Sequence, residues 1–252
     1  MSSFTDTAQE KSVSESVSST VKTIAVYCAS SIGNQKAYIA CAQSLGRAMG
    51  KSHRDLVYGG GSNGLMGVIS GTVLEGGSNV TGVVPYSMLA AGGEGQGMDD
   101  KTVVIDEKGR EGVQTIIVNT MHERKVEMAR RADAFIGLPG GFGTYEEILE
   151  VMTWTQLGIH RKPVLLLNVL NFYDPLRALV KNGVSAGFIR PQNGNIVIFV
   201  DGPSDHVDHE TFDWGTAAFR ALDAWKPDDI SPIYNWKLRK EGVNAHDPLE
   251  AS

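Results

Sequence analysis

Two glycine-rich stretches, and a few charged residues beside them, are the parts of this chain equipped for chemistry. Gly59-Gly60-Gly61-Ser62-Asn63-Gly64 has the spacing G-x-G-x-x-G directly after a short apolar run and directly before a helical pattern. At such a junction free backbone N–H groups and the helix dipole favour an anion. Pro139-Gly140-Gly141-Phe142-Gly143-Thr144 repeats the arrangement, because the strand-like Ala134–Leu138 feeds a glycine turn whose last residue is placed to cap a helix. The structural alternative for each loop is a tight turn that needs positive φ and nothing more. A dinucleotide site would also require an acidic residue near the end of the following strand, and Val80–Val84 runs into Pro85 without one, which disfavours a nicotinamide-dependent oxidoreductase.

Beside the second loop, Thr144-Tyr145-Glu146-Glu147 reads as a capping box with Thr144 as N-cap and Glu147 at N3, a role that explains the glutamate without chemistry. A carboxylate in that turn also stands within reach of the ribose of a nucleotide whose phosphate sits on the glycines. Successive helical residues point about 100° apart, so Glu146 and Glu147 do not both face such a ligand, and Glu147 is the candidate. In the preceding helical pattern, read over Glu111–Arg131, Ile117, Met121, Arg124 and Met128 share one stripe. An arginine among apolar side chains calls for an anion. Snorkelling, or a pairing with Glu127, is the structural alternative. Lys125 adds cationic field, and His122 reads as structural or exposed.

The elements that must hold these residues alternate. Thr23–Cys28, Asp55–Tyr58, Asn79–Val84, Ala134–Leu138, Val164–Asn168 and Ile196–Val200 are strand-like, with helical patterns at Gln35–Met49, Leu65–Glu75, Thr144–Gly158, Asp174–Ala186 and Thr211–Trp225. The expected fold is an α/β, Rossmann-like doubly wound parallel sheet with helices on both faces, one domain over residues 21–226. Residues 1–20 read as a disordered tail and 227–252 as an irregular one. Ala91–Gly97 reads as a mobile surface loop or a lid before a short strand at Thr102–Ile105. The helix after Thr144 is apolar on two sides, Tyr145, Ile148, Leu149 and Met152 on one and Val151 and Trp154 on the other. It is expected to be buried all round, one face on the sheet and the other on a second subunit, giving a homodimer, or else beneath the C-terminal helix.

With 252 residues and a net charge of −6 the chain is long enough for a sizeable core and too acidic for a general nucleic-acid binder. Cys28 and Cys41 stand apart from each other and from any histidine cluster, which fits a reducing, cytoplasmic compartment and gives no metal site. No apolar stretch approaches the roughly 18 residues of a membrane span.

Taken together, Pro139-Gly140-Gly141-Phe142-Gly143-Thr144-Tyr145-Glu146-Glu147, Met121-His122-Glu123-Arg124-Lys125 and Gly59–Gly67 resemble the signature of the Lonely Guy (LOG) family of cytokinin-activating phosphoribohydrolases, over about Thr23–Val200. The resemblance implies a dimeric hydrolase, independent of metal or cofactor, that converts an N6-modified adenosine monophosphate into free base and ribose 5-phosphate. It implies Arg124 and Glu147 as the catalytic pair and Gly140, Gly141, Gly143 and Thr144 as the phosphate motif, with Gly61, Met121 and Lys125 in segments that line the nucleotide pocket. Such proteins often carry a lysine decarboxylase label, but nothing here suggests a pyridoxal phosphate lysine. Cleavage of an N-glycosidic bond passes through an oxocarbenium-like sugar. Glu147 would stabilise that charge or activate water, and Arg124, always protonated, would act by hydrogen bonding and electrostatics. The alternative is a nucleotide- or cofactor-binding module without hydrolytic activity, since the fold alone does not fix the chemistry.

Overall fold

In the computed structural model, residues 21–92, 102–104, 112–226, 232–234 and Leu249 are described. The strands β1 (Thr23–Tyr27), β2 (Asp55–Tyr58), β3 (Val80–Pro85), β5 (Val113–Val118), β6 (Ala134–Gly137), β7 (Val164–Asn168) and β8 (Val197–Asp201) are parallel, and β4 (Thr102–Val104) closes one edge antiparallel to β5. Central strands such as β6 and β7 are buried at every residue. Strands covered on both faces read as continuous apolar runs rather than alternating ones, and Val-Leu-Leu-Leu in β7 is such a run.

The sheet order is β4-β5-β3-β2-β1-β6-β7-β8. The chain begins in the middle, walks outward through β2 and β3, then crosses back to β6 on the other side of β1. The reversal opens a crevice at the C-terminal ends of β1 and β6, the switch point where doubly wound sheets bind ligands. Helices α1 (Lys36–Lys51), α2 (Gly64–Glu75) and α7 (Trp214–Ala224) cover one face through Leu45, Met49, Ile69 and Trp214. On the other face α4 (Met121–Arg131) and α5 (Phe142–Leu157) pack through Met128, Ile148, Val151 and Trp154. Two further helices, α3 (Tyr86–Gly92) and α6 (Asp174–Ser185), complete the described set. None of the described helices is long and apolar enough to cross a membrane.

Two expectations are corrected. The helix read over Glu111–Arg131 is β5 followed by the shorter α4, because the β-branched run in Val113-Gln114-Thr115-Ile116-Ile117-Val118 favours the pleated sheet over the helix. Ile117 therefore does not share a helical stripe with Arg124. Thr120 starts α4, its Oγ accepting the Glu123 N–H at 3.0 Å while a Glu123 carboxylate oxygen accepts the Asn119 N–H at 2.8 Å. Second, Thr144 is not an N-cap. Gly141 caps α5, which puts Thr144, buried, at N3 and Glu147 in the second turn. Phe142 and Gly143 lie inside the helix, which therefore starts three residues early. Within the single chain only one side of α5 is covered: Ile148, Val151 and Trp154 pack on the sheet, while Phe142, Tyr145 and Leu149 are 92%, 38% and 44% exposed.

The C-terminal end of α5 is met by residues 232–234. The N–H groups of Ile233 and Tyr234 donate to the carbonyls of Gln156 and Leu157, and Leu249 packs into the core on the same face of the sheet. Residues 1–20, 93–97 of the glycine-rich stretch, and most of 227–252 lie outside the described residues, whereas Ala91 and Gly92 finish α3.

Candidate active site

The first turn of α5 carries the second glycine loop to the crevice. The N–H of Tyr145 is taken by the Gly141 carbonyl, as helix geometry demands. Among the described residues, those of Phe142, Gly143 and Thr144 have no acceptor. These are the unpaired donors that every helix start leaves, here at the positive end of the helix dipole. A Cβ built at Gly141 or at Gly143 meets nothing within 4 Å, so both open onto free space, while one at Gly140 would strike the Thr144 hydroxyl at 2.1 Å. Gly140 therefore lets Thr144 fold back under the loop. A cleft of about 630 Å³ adjoins this loop on the α1 side, lined by Ala29, Ser31–Asn34, Tyr38, Leu65, Pro139–Gly141 and Phe172. The loop is anchored from below: the Tyr173 hydroxyl, fully buried, donates to the Leu138 carbonyl.

The first glycine loop is built differently. The N–H groups of Leu65 and Met66, in the first turn of α2, donate at 3.3 Å to the carbonyls of Ser31 and Ala29. Gly60 and Gly64 have φ of +82° and +62°, and Cβ atoms on them would reach Val84 Cγ2 at 2.1 Å and the Ser30–Ser31 backbone at 2.2 Å. One at Gly61 would meet the Met66 methyl at 2.7 Å. The positions that side chains would take on its glycines are filled by protein, while Ser62 and Asn63 are exposed.

Between the two loops lie Arg124 and Glu147, which the structure brings together. Arg124 Nη2 stands 3.3 Å from Glu147 Oε1, with both side chains about nine-tenths buried. Arg124 Nε donates to the Val83 carbonyl of β3 at 3.1 Å, and Nη1 faces the sulfur of Met121 at 3.9 Å. Glu127 is not its partner, being bound instead by Arg130 and Arg131. Glu147 Oε1 is buried without a hydrogen bond, so the pair is held by charge alone. Burial pushes the Glu147 carboxyl up to about 7. Arg124 opposes that shift, with smaller contributions from Glu146 and Glu150, which raise it, and Lys125, which lowers it. Such a carboxyl is poised to exchange a proton near neutral pH.

Lys125 points away from Arg124 into two carboxylates, Glu146 and Glu150, bonding the latter at 2.9 Å. Glu146 is therefore turned from Glu147, as the helical angle required. Met121 is half exposed at the mouth of the site, and Gly61 lies beside Met66. Glu150 was not singled out from the sequence. Its signal was its position, one turn after both Glu146 and Glu147, where an i+4 or i+3 neighbour shares their cations. Tyr173 was also missed, and Gly59 was read as part of the glycine motif but not as a neighbour of Arg124, since a tyrosine after an unusual turn and one glycine among several carry no distinguishing local pattern. Among the described residues no group of histidine, cysteine or carboxylate side chains could hold a metal ion.

Proteins of known family match much of this chain in sequence. A family model described as "Possible lysine decarboxylase" matches residues 66–209. The chain is 46% identical over 185 residues to the probable cytokinin riboside 5′-monophosphate phosphoribohydrolase LOG4 of Oryza sativa subsp. japonica, covering 73% of this chain and 74% of that one. With LOGL1 of the same plant, of the same probable activity, it shares 46% identity over 87% of each chain. With the cytokinin riboside 5′-monophosphate phosphoribohydrolase LOG2 of Arabidopsis thaliana it shares 45%, over 73% of this chain and 80% of the other. Among solved structures, the structural-genomics target TM1055 superposes with a TM-score of 0.50 at 22% identity, covering 72% of this chain and 92% of its own. The molybdenum cofactor carrier protein of Chlamydomonas reinhardtii also reaches 0.50, at 18% identity over 81% of this chain and 98% of its own. These two show the Rossmann-like fold alone. The family match over more than half of the chain, together with relatives of this identity and coverage, shows that the chain belongs to the LOG family.

Proposed function

We propose that this protein is a hydrolase acting on N-glycosyl bonds, which cleaves cytokinin riboside 5′-monophosphates into free base and ribose 5-phosphate. The observation that carries the reading is the buried Arg124–Glu147 pair one helical turn beyond unpaired N–H groups at the start of α5. Three residues of helix separate Thr144 from Glu147, a rise of about 4.5 Å, so a phosphate on the N–H groups leaves its ribose beside the carboxylate. Gly140, Gly141, Gly143 and Thr144 take the phosphate, and Gly61, Met121 and Lys125 border the nucleotide.

As the bond from C1′ to the base nitrogen breaks, its electron pair leaves with the base and positive charge grows on the sugar. The Glu147 carboxylate faces that charge and accepts the proton of the water whose oxygen bonds C1′. Arg124 supplies fixed positive charge and donors toward the phosphate, ribose or departing base, whose proton comes from water. The exposed Phe142, Tyr145 and Leu149 on α5 support a homodimer through that face, and the unpaired, buried thiols of Cys28 and Cys41 support a reducing cytoplasm.

The test is chromatography of the protein incubated with AMP, isopentenyladenosine monophosphate and their dephosphorylated nucleosides, beside Glu147→Ala and Arg124→Ala. Free base from monophosphates only, lowered by roughly a thousandfold in the folded variants, is the expected result. Tight nucleotide binding with no base released would replace the hydrolase by a binding module. In the active enzyme kcat/KM should fall as pH drops through about 7, because protonation removes the Glu147 carboxylate.

A further inference from the structure

We propose that Gly59 is a positioning residue for the Arg124–Glu147 pair, its missing side chain being the space in which the Arg124 guanidinium lies. The inference rests on the hydrolase reading of that pair. A Cβ built on Gly59 falls 2.1 Å from Arg124 Nη2 and 3.3 Å from Cζ. The guanidinium is bounded on its other sides by the Val83 carbonyl, which takes Nε at 3.1 Å, and by Glu147 Oε1, 3.3 Å from Nη2. An alanine at 59 would therefore occupy the place of the nitrogen that faces the carboxylate.

The two usual reasons for a glycine do not apply at this position. Positive φ occurs at Gly60 and Gly64 but not at Gly59, so the backbone there accepts any residue. Room for a phosphate does not explain it either, because the space a Cβ would take at Gly59 is already filled by the Arg124 guanidinium, with Met66 Sδ at 3.4 Å. What remains is the arginine from α4. The atom that must give way to a Cβ is the far end of a long side chain, not backbone, so Gly59→Ala is expected to fold and to lose the alignment of the pair.

Alignment has a signature of its own. The charged groups facing Glu147 are Arg124 and Lys125 from α4 and Glu146 and Glu150 from its own helix, with the neutral Tyr27 at the end of β1 and Cys28 just after it. Of these charged groups Arg124 is the one at the Gly59 position, and it holds the Glu147 carboxyl down against burial. Displacing it raises the pH at which Glu147 titrates.

The experiment compares the wild type, Gly59→Ala, Arg124→Lys, the double variant and, as a control, Gly71→Ala, a glycine of α2 with open space around its Cβ. Each is assayed for release of base from isopentenyladenosine monophosphate, with Tm and the carbon-13 resonance of the Glu147 carboxyl followed against pH. Gly59→Ala should keep its Tm within a few degrees, lose kcat by roughly tenfold or more with little change in KM, and titrate Glu147 at higher pH. In the Arg124→Lys background, where Nη2 is gone, the same change should cost less than about twofold. Gly71→Ala should match the wild type in all three. Wild-type activity and Glu147 titration in Gly59→Ala would overturn the proposal, as would an undiminished loss in the Arg124→Lys background or failure of Gly59→Ala to fold. If the wild type itself releases no base, the hydrolase reading fails, while the carboxyl titration still reports whether Gly59 seats the arginine.

Discussion

The loops at Gly59–Gly64 and Pro139–Thr144 share a position and a composition: each follows a parallel strand, starts a helix and is rich in glycine. Their surroundings are opposite. The first has two of its helix-start N–H groups, those of Leu65 and Met66, paired with the carbonyls of Ser31 and Ala29, and Cβ atoms on its glycines would run into protein. The second leaves three N–H groups without acceptors and has glycines facing open space. A glycine motif records that something comes close to the backbone. In one loop that is the protein's own arginine, valine and neighbouring loop; in the other Gly141 and Gly143 face open space, which the proposed function gives to the phosphate. The same substitution should therefore damage folding in the first loop and binding in the second.

The largest effect is expected at Gly64. Alanine there must hold φ near +62° and place its Cβ 2.2 Å from the Ser30–Ser31 backbone. Left-handed strain plus displacement of that loop should cost about 3 kcal/mol, a drop in Tm of roughly 6–12 °C. An unchanged Tm in thermal denaturation would remove the distinction between the loops.

On the second side of the comparison, Glu147 should weigh against stability rather than for it. Its folded-state carboxyl is raised from 4.5 to about 7, so the protonated form is the one that folding favours. That contribution is complete below the unfolded value and is lost as pH rises through the folded one. Relative to Glu147→Gln, which keeps the neutral shape, the wild type should lose on the order of 2 kcal/mol between pH 5 and pH 9. Denaturant titrations of both proteins across that range measure it, and a constant difference would mean that Glu147 titrates as an ordinary carboxylate. Gly141→Ala and Gly143→Ala come next. With nothing within 4 Å of either Cβ, Tm should stay within a few degrees, whereas KM for the monophosphate should rise about tenfold, some 1.4 kcal/mol of lost binding.

How much of this was legible beforehand follows the range of the interactions. Six of the seven parallel strands were read nearly to the residue, as at β7, because continuous apolar runs between turn residues are a local signal. The pairing of Arg124 with Glu147 was approached through an arginine lacking an explanation in its own helix, although the stripe argument included Ile117, which lies on a strand. The β-branched content of Val113–Val118 should have outweighed helical spacing there. The start of α5 was misplaced because Thr-x-x-Glu is a good local cap signal, and Thr120 and Glu123 use it at α4 while Thr144 does not. Whether a glycine loop faces protein or ligand was not legible at all. It depends on which loop the sheet order brings alongside, and Ser30 and Gly64 are far apart in sequence.

The smallest effect tests whether the open loop needs support from outside itself. Asn168, fully buried at the end of β7, accepts the Tyr173 N–H at 2.7 Å and donates to Asp174 at 2.9 Å and Asp201 at 2.7 Å. This network fixes the ring of Tyr173, whose hydroxyl reaches the Leu138 carbonyl immediately before Pro139. Tyr173→Phe keeps the ring and removes one donor, leaving a buried carbonyl unpaired at a cost of about 1 kcal/mol, roughly 2–4 °C in Tm. If the bond sets the height of the glycine turn over the sheet, KM for the monophosphate rises about threefold while kcat and the Glu147 titration stay, because a misplaced turn weakens phosphate binding without touching the pair. A fall in kcat at constant KM would place the effect of Tyr173 on the chemistry of Glu147, and would make the second loop self-supporting as the first is not.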